Sequence, residues 1–466
     1  MTDLPWISVD GPRLVDEAGA EVILAGFGLG GWMNMEDFIT GYPGNEEAMR
    51  QGLRRAMGEA AYEVFFETFY EAFFAQADAR FLASLGLNAL RIAVNYRHFE
   101  DDAAPFQLLE SGFRRLDRVI DICAAQGIYT IIDLHAAPGY QNHHWHSDNP
   151  THIASFWLHP HFQDRVVHLW EAFAERYRDR PEVAGFNLLN EPADESGEVL
   201  PRFYRRLVDA VRAVDSRHVL FLDGNRYATD FSCFPEPFDN SVYAAHDYAL
   251  PGFAEATGYP GTVRGEYIDR EAVEETFLRR TEFMHRTGTP IWIGEFGPML
   301  PPDKPEQTWR YDLLTDQLEI YRRHAASWSL WTYKDIGLQG VVVADPTSPY
   351  MRLTEPVRRL KADLGTDAWG GSDAGVRDIL DPIDAVFDRH FPDFDPYPWG
   401  RRRHIFRLVR HILLAEPAAQ RYADLFTAVS VEGARALARS FSFEAMQVRT
   451  ELAERLRVHQ GLTGRA

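Results

Sequence analysis

The chain has 466 residues, 45% of them hydrophobic and 25% charged, the proportions of a soluble globular protein, which exclude a disordered or fibrous chain. Acids outnumber bases 69 to 48, a formal charge of −21. A field of that sign repels phosphate backbones and acidic lipid surfaces, so neither nucleic acid nor a membrane is expected as a partner.

Two cysteines, Cys123 and Cys233, are too few for a disulfide framework. Cys123 lies among apolar residues at helical spacing and reads as inert core. No run of about 18 apolar residues is available to cross a membrane. The opening MTDLPWISVDGPRL has no basic stretch followed by an apolar one, so a cytoplasmic protein is expected.

Eight short apolar, β-branched or aromatic runs recur along the chain: 22–31, 87–96, 128–138, 182–192, 218–227, 241–250, 290–300 and 327–337. Each begins nearly continuously apolar, as strands buried on both faces of a parallel sheet do, and turns polar at its C-terminal end. Amphipathic stretches such as 113–127 and 162–179 separate them. Eight strand–helix units over 1–371 predict a (β/α)8 barrel with enlarged loops. A doubly wound sheet is the alternative, but it would not place functional side chains at every strand end.

The gap between the first two runs is long. Residues 45–85 read as helical, the last part as the first barrel helix and the rest as an insertion whose aromatic cluster at 62–74 serves packing. Residues 372–466 change character. They hold 14 Arg and 13 Asp plus Glu, a net +1, so the barrel carries −22. This is expected to be a helical extension, with Ser430 and Ser442 at N-cap positions, and it offers a route to a homo-oligomer. Its basic run RRRHIFRLVR (401–410) reads as a solvated helix face.

In a barrel, polar residues at strand C-termini converge on one mouth, where catalysis sits. Those ends supply Glu36, Arg91, His135, Asn190, Glu191, His246, Tyr248, Glu295 and Trp331. Glu191 and Glu295 emerge from apolar strands, where an unpaired carboxylate is costly. Two glutamates on facing strands are what glycoside hydrolysis needs, one as acid/base and one as nucleophile. The bland alternative is an ion pair at the barrel mouth.

These residues carry a family resemblance. NLLNEPAD resembles the acid/base strand of glycoside hydrolase family 5, and WIGEFGP resembles its nucleophile strand. The arginine of LRIAVNY, the histidine of DLHAAPG, the His-x-Tyr of HDY and the tryptophan of WSLWTYK match further positions. GFGLGGWMNME and HAAPGYQN…DN look most like the exo-β-1,3-glucanase branch. The resemblance spans about residues 8–365 and departs in loop three, where HHWHS precedes Asp148.

It implies retaining hydrolysis without a cofactor. Glu295 would attack the anomeric carbon, and Glu191, protonated at rest, would serve as acid and then base. Arg91 and Tyr248 would hold Glu295 as a carboxylate. Asn190 would bind the sugar 2-hydroxyl, His135 and His246 would bind or orient, and Trp331 would be an apolar platform. Glu36 and Asp148 would hold hydroxyls of the terminal sugar.

The implied substrate is a β-glucoside, with β-1,3 linkage and exo action favoured. An endo-acting glucanase or mannanase and an endoglycoceramidase-like enzyme are the alternatives, and a carbohydrate-binding barrel without turnover is a reading of another class. A metal-dependent hydrolase is a further one, resting on His143, His144 and His146 with Asp148, although their spacing fits no usual zinc pattern. Lys334, at the end of the eighth run, is open between sugar, tail and strand anchor.

Overall fold

The eight apolar runs form eight parallel strands that close on themselves. The computed structural model describes residues 4–249, 256–263, 265–301, 304–366, 369 and 373–462. The strands are β1 (Ala25–Met33), β2 (Ala89–Asn95), β3 (Tyr129–Ala136), β4 (Val183–Asn187), β5 (Val219–Asp223), β6 (Ser241–His246), β7 (Ile291–Phe296) and β8 (Ser327–Leu330). They neighbour one another in chain order, and β8 pairs with β1 through Trp328 and Ala25. This is the (β/α)8 barrel. Every residue of the eight strands is buried, which is why the runs are continuously apolar rather than alternating.

Helices cover the outside. Glu110–Ala124 buries Phe113, Leu116, Ile120 and Cys123, positions three and four residues apart that turn one stripe toward the sheet. An N-terminal hairpin, Ile7–Asp10 with Arg13–Asp16, lies outside the barrel sheet. No helix among the described residues is long and apolar enough to cross a membrane.

Between β1 and β2 stand four helices, and the last of them, Gln76–Ser84, leads into β2. Helix Glu59–Phe73 buries Phe65, Phe66, Phe69, Tyr70 and Phe73. Those rings receive the C-terminal residues. Phe441 lies 5.1 Å from Phe69 and 5.9 Å from Phe73, centroid to centroid, and Phe65 lies 6.4 Å from Phe426.

The point at 371/372 where the chain changes character lies outside the described residues. Beyond it come helices Arg377–His390, Arg401–Arg407, Ala415–Asp424, Val431–Ala438 and Thr450–His459. Strand Met446–Val448 pairs antiparallel with Val342–Ala344, which follows β8. Leu452 and Leu456 are buried in the same apolar core as the barrel's outer face.

Ser430 caps its helix by accepting from the Gly433 N–H, whereas Ser442 precedes a short 3-10 turn and makes no such bond. The basic run is only in part the solvated face expected, with Arg402 and Arg403 exposed. Arg401 pairs with Asp384, Arg402 lies near Asp381, and Arg407 and Arg410 are buried.

Lys334, just past β8, joins three elements. Its buried ammonium lies 2.6 Å from Asp78 and donates to the carbonyls of Phe73 at 2.7 Å and Phe441 at 3.1 Å. Lys334 therefore anchors the insertion and the C-terminal residues to the barrel. Replacing Asp78 by alanine leaves a buried ammonium without its counter-charge, and the expected loss is about 3–5 kcal/mol of stability. A thermal melt checks it, and an unchanged midpoint would contradict the anchoring role.

Candidate active site

The site is built on Arg91, which rises from β2 into the barrel and is fully buried. A guanidinium has five N–H donors in a fixed fork, and burial requires each to find an acceptor. Nε donates to Asn187 Oδ1 at 2.8 Å, one Nη to Glu295 Oε1 at 2.7 Å, and the other to Asn190 Oδ1 at 2.8 Å. Asp133 lies 3.2 Å away on β3.

Because Arg91 fixes the carbonyl end of Asn190, the amide nitrogen points at His135 Nε2, 3.3 Å away. His135 then donates from Nδ1 to Asp133 at 2.7 Å. Burial holds His135 well below its ordinary pKa, so it is neutral, as this pattern of one donor and one acceptor requires. Burial also pushes Asp133 up to about 6, against the pull of Arg91.

Glu295, on β7, takes its second hydrogen bond from the Tyr248 hydroxyl at 2.9 Å. The strand register sets His246 of β6 directly beside it. His246 Nδ1 lies 2.7 Å from Glu191 and 3.6 Å from Glu295, and Nε2 lies 3.5 Å from Asp223. Although burial opposes it, these three carboxylates raise the pKa of His246.

Glu191 sits past β4 in a left-handed backbone conformation, φ 47°, with its N–H held by Asp223 at 2.9 Å. Such a conformation is costly for a residue with a Cβ and is met mostly at functional sites. Burial would raise the Glu191 carboxyl, but hydrogen bonds from His146, at 3.0 Å, and His246 hold it well below the usual carboxylate range. Both contacts favour the carboxylate form of Glu191, against the resting proton that the resemblance implies. One oxygen of Glu191 and one of Glu295 lie within 4.8 Å of each other.

Glu36 is 8% exposed, and its Oε1 lies 3.7 Å from His135 Nε2 with no hydrogen-bond partner. Burial and the charges of Glu295, Asp37 and Glu191 raise its pKa well above the ordinary value. Trp331 is packed rather than laid open. It is 2% exposed and stacks on His135, centroids 5.1 Å apart. Its ring fits because a Cβ on Gly28 or Gly30 would stand 2.3 Å or 2.6 Å from it, which explains the glycines of β1.

Asp148 is not brought to the pair. Its oxygens are taken by Asn45 at 2.7 Å, the Glu47 N–H at 2.9 Å, Asn95 at 3.1 Å and Arg97 at 2.8 Å. It ties loop three to the insertion. His143, His144 and His146 do not gather with Asp148 into a ligand set. Among the described residues, the group spaced to hold a cation is Glu191, His246 and Glu295.

Three contributors escaped the sequence reading, Asp133, Asn187 and Asp223, whereas His146 was singled out there as a possible metal ligand and stands instead beside Glu191. Asp133 carried a signal, since it stands two residues before His135 and so shares its face of the strand. Asn187 and Asp223 end β4 and β5 after apolar runs, as functional residues of barrels do.

Replacing Arg91 by methionine strips Asp133 and Glu295 of their shared cation. The expected cost is about 3–5 kcal/mol near pH 8 and less near pH 5, where Asp133 is protonated and needs no counter-charge. Melting curves at the two pH values test this, and equal losses would contradict it.

A family model described as cellulase (glycosyl hydrolase family 5) matches residues 55–337, more than half of the chain. The chain is 45% identical over 456 residues to a protein of Phanerodontia chrysosporium named beta-xylosidase, covering 95% of each. It is 28% identical over 239 residues to a probable glucan 1,3-beta-glucosidase A of Aspergillus fumigatus, covering 49% of this chain and 56% of that one. An endogalactoceramidase crystal structure shares the fold, with a TM-score of 0.53 at 17% identity, covering 71% of this chain and 75% of the other. With this family model matched and the beta-xylosidase aligned nearly end to end, the chain belongs to glycosyl hydrolase family 5.

Proposed function

We propose that the protein is a retaining β-glycosidase that removes single terminal sugars from small β-linked glycosides. The carrying observation is the approach of Glu191 and Glu295 oxygens to within 4.8 Å. Retaining enzymes hold their carboxyl groups about 5–5.5 Å apart, whereas inverting ones leave about 6.5–9.5 Å for a water.

In this reading the Glu295 carboxylate attacks the anomeric carbon while the bond to the leaving oxygen breaks. Glu191 delivers to that oxygen the proton it shares with His246. Water then attacks the glycosyl ester, gives one proton to Glu191, and the bond to Glu295 breaks. Arg91 and Tyr248 hold the Glu295 oxygens in place throughout.

Exo action rests on Glu36. A buried carboxyl oxygen without a partner, close to the acid/base pair, suits a sugar hydroxyl that donates to it. The sugar is a β-glucoside in the first reading. The name of the 45%-identical relative favours a β-xyloside as the second, and a pyranose of either kind fits the same chemistry.

Three outcomes are expected. Aryl β-glucosides or β-xylosides release a product of retained anomeric configuration by NMR, and an inverted product would overturn the mechanism. Glu295→Gln slows turnover by at least about 10³-fold, and unchanged turnover would remove Glu295 from its role. Glu36→Gln weakens binding of the intact substrate by about 1–3 kcal/mol, seen as a raised KM with oligosaccharides cut to monosaccharides only in the parent enzyme. Internal cleavage by the parent would favour endo action.

A further inference from the structure

Loop three departs from the family pattern through HHWHS, and the structure shows where that segment goes. His146 Nε2 lies 3.0 Å from Glu191 Oε2, on the oxygen opposite the one that faces His246. The same nitrogen is 2.9 Å from Asn142 Nδ2, and Asn142 in turn donates to the Glu191 carbonyl at 3.0 Å.

Behind His146 lies His144, the two rings nearly parallel, 5.3 Å apart at 9°. Buried Arg407, from the C-terminal residues, donates to His144 Nε2. Burial and the Arg407 charge keep His144 well below its ordinary pKa, so the ring is neutral, and the Arg407 donor selects the tautomer whose Nε2 is bare. Tyr227 stands edge-on to His144 at 5.2 Å, and Trp399 covers Tyr227 at 5.1 Å. On the far side, Trp145 stacks on His411 at 4.2 Å. The C-terminal residues therefore grip this segment of loop three from two directions.

We propose that the C-terminal region belongs to the catalytic apparatus, with Arg407 acting through the stacked His144 and His146 to position Glu191. His146 and Arg407 are positioning residues in this scheme, since neither need touch the sugar. The proposal deepens the glycosidase reading and rests on it. It also gives the C-terminal residues a role beyond packing.

The groups that face Glu191 are His146, His246 and the charges of Glu295 and Glu36, with Asp223 behind its N–H. Those that face His146 are Glu191, Asn142, His135 and His144, with Tyr227 at the edge. Of the contacts to the Glu191 side chain, the one from His146 comes from the segment that the C-terminal residues hold. Its loss removes a hydrogen bond to the carboxylate form, so the acid's titration moves up.

The test compares His146→Phe and Arg407→Gln with the parent, using phenyl and 2,4-dinitrophenyl β-glycosides. The phenyl leaving group needs a proton from the acid, and the dinitrophenyl group hardly does. General acid help is worth about 10²–10⁴-fold, so a misplaced acid lowers the phenyl to dinitrophenyl ratio of kcat/KM by about tenfold or more. The alkaline limb of the phenyl pH profile is expected to move up in His146→Phe. Arg407→Gln, which keeps the chain intact, is expected to lower the same ratio by a smaller factor.

Equal losses on both substrates with an unmoved limb would mean support of the fold alone and overturn the proposal. An unchanged ratio in Arg407→Gln would detach the C-terminal region from catalysis. A parent inert on every aryl β-glycoside would overturn the glycosidase reading itself, a result distinct from either.

Discussion

A fully buried guanidinium is tolerable only where carboxylates and amide oxygens surround it, and Arg91 meets that condition with three hydrogen bonds and a 3.2 Å ion pair that draw four strands of the barrel to one point. Asn187 and Asn190 come from the β4 end, Asp133 from β3 and Glu295 from β7. Each partner is oriented by the fork and passes that orientation on. Asn190 can present its amide nitrogen to His135 only because its oxygen is held, and His135 takes its tautomer from Asp133. Glu295 is pinned at one oxygen by Arg91 and at the other by Tyr248. Glu295 thus stands in a fixed place before any substrate arrives, and in the proposed mechanism little reorganisation is needed when charge moves.

The second constraint is the distribution of protons among crowded carboxylates. Glu36, Asp133, Glu191, Asp223 and Glu295 lie close together, and not all can be charged at once. Burial raises Asp133 and Asp223 to about 6, and it also raises Glu36 well above its ordinary value. His246 stands between Glu191 and Asp223, whose charges raise its pKa with that of Glu295, and His146 meets the other oxygen of Glu191. Glu191 and Glu295, the proposed acid/base and nucleophile, are thereby differentiated by their neighbours. One lies against two imidazoles, and the other against a guanidinium that stays charged. That difference is what two roles for two glutamates require.

Much of this was legible in the sequence. The eight strands follow from apolar runs, because a strand buried on both faces must be apolar throughout, and the glutamates stand out because charge at the end of such a run is expensive. The long insertion and the helical C-terminal stretch were visible from composition and periodicity. How they pack was not, since the contacts of Phe441 with Phe69 or of Lys334 with Asp78 join residues hundreds of positions apart. Asp148 shows the same limit. Its place in a loop beside a family motif suggested sugar binding, whereas four donors from two segments, 45–47 and 95–97, occupy it. The packing of Trp331 could have been inferred from Gly28 and Gly30, whose missing side chains make room for the ring. The basic run at 401–410 is solvated at Arg402 and Arg403 but buried at Arg407 and Arg410, and helical spacing alone does not tell a solvated turn from one packed against a histidine loop.

The central claim is that Glu295 forms a covalent bond to the sugar while Glu191 manages the proton. The most direct measurement is incubation with a 2-deoxy-2-fluoro β-glycoside carrying an activated leaving group, followed by mass spectrometry of the intact chain and of its peptides. The account expects a stoichiometric adduct of one fluorosugar on the peptide containing Glu295, absent in Glu295→Gln. Steady turnover of the parent substrate with no adduct, or an adduct on another residue, would contradict it.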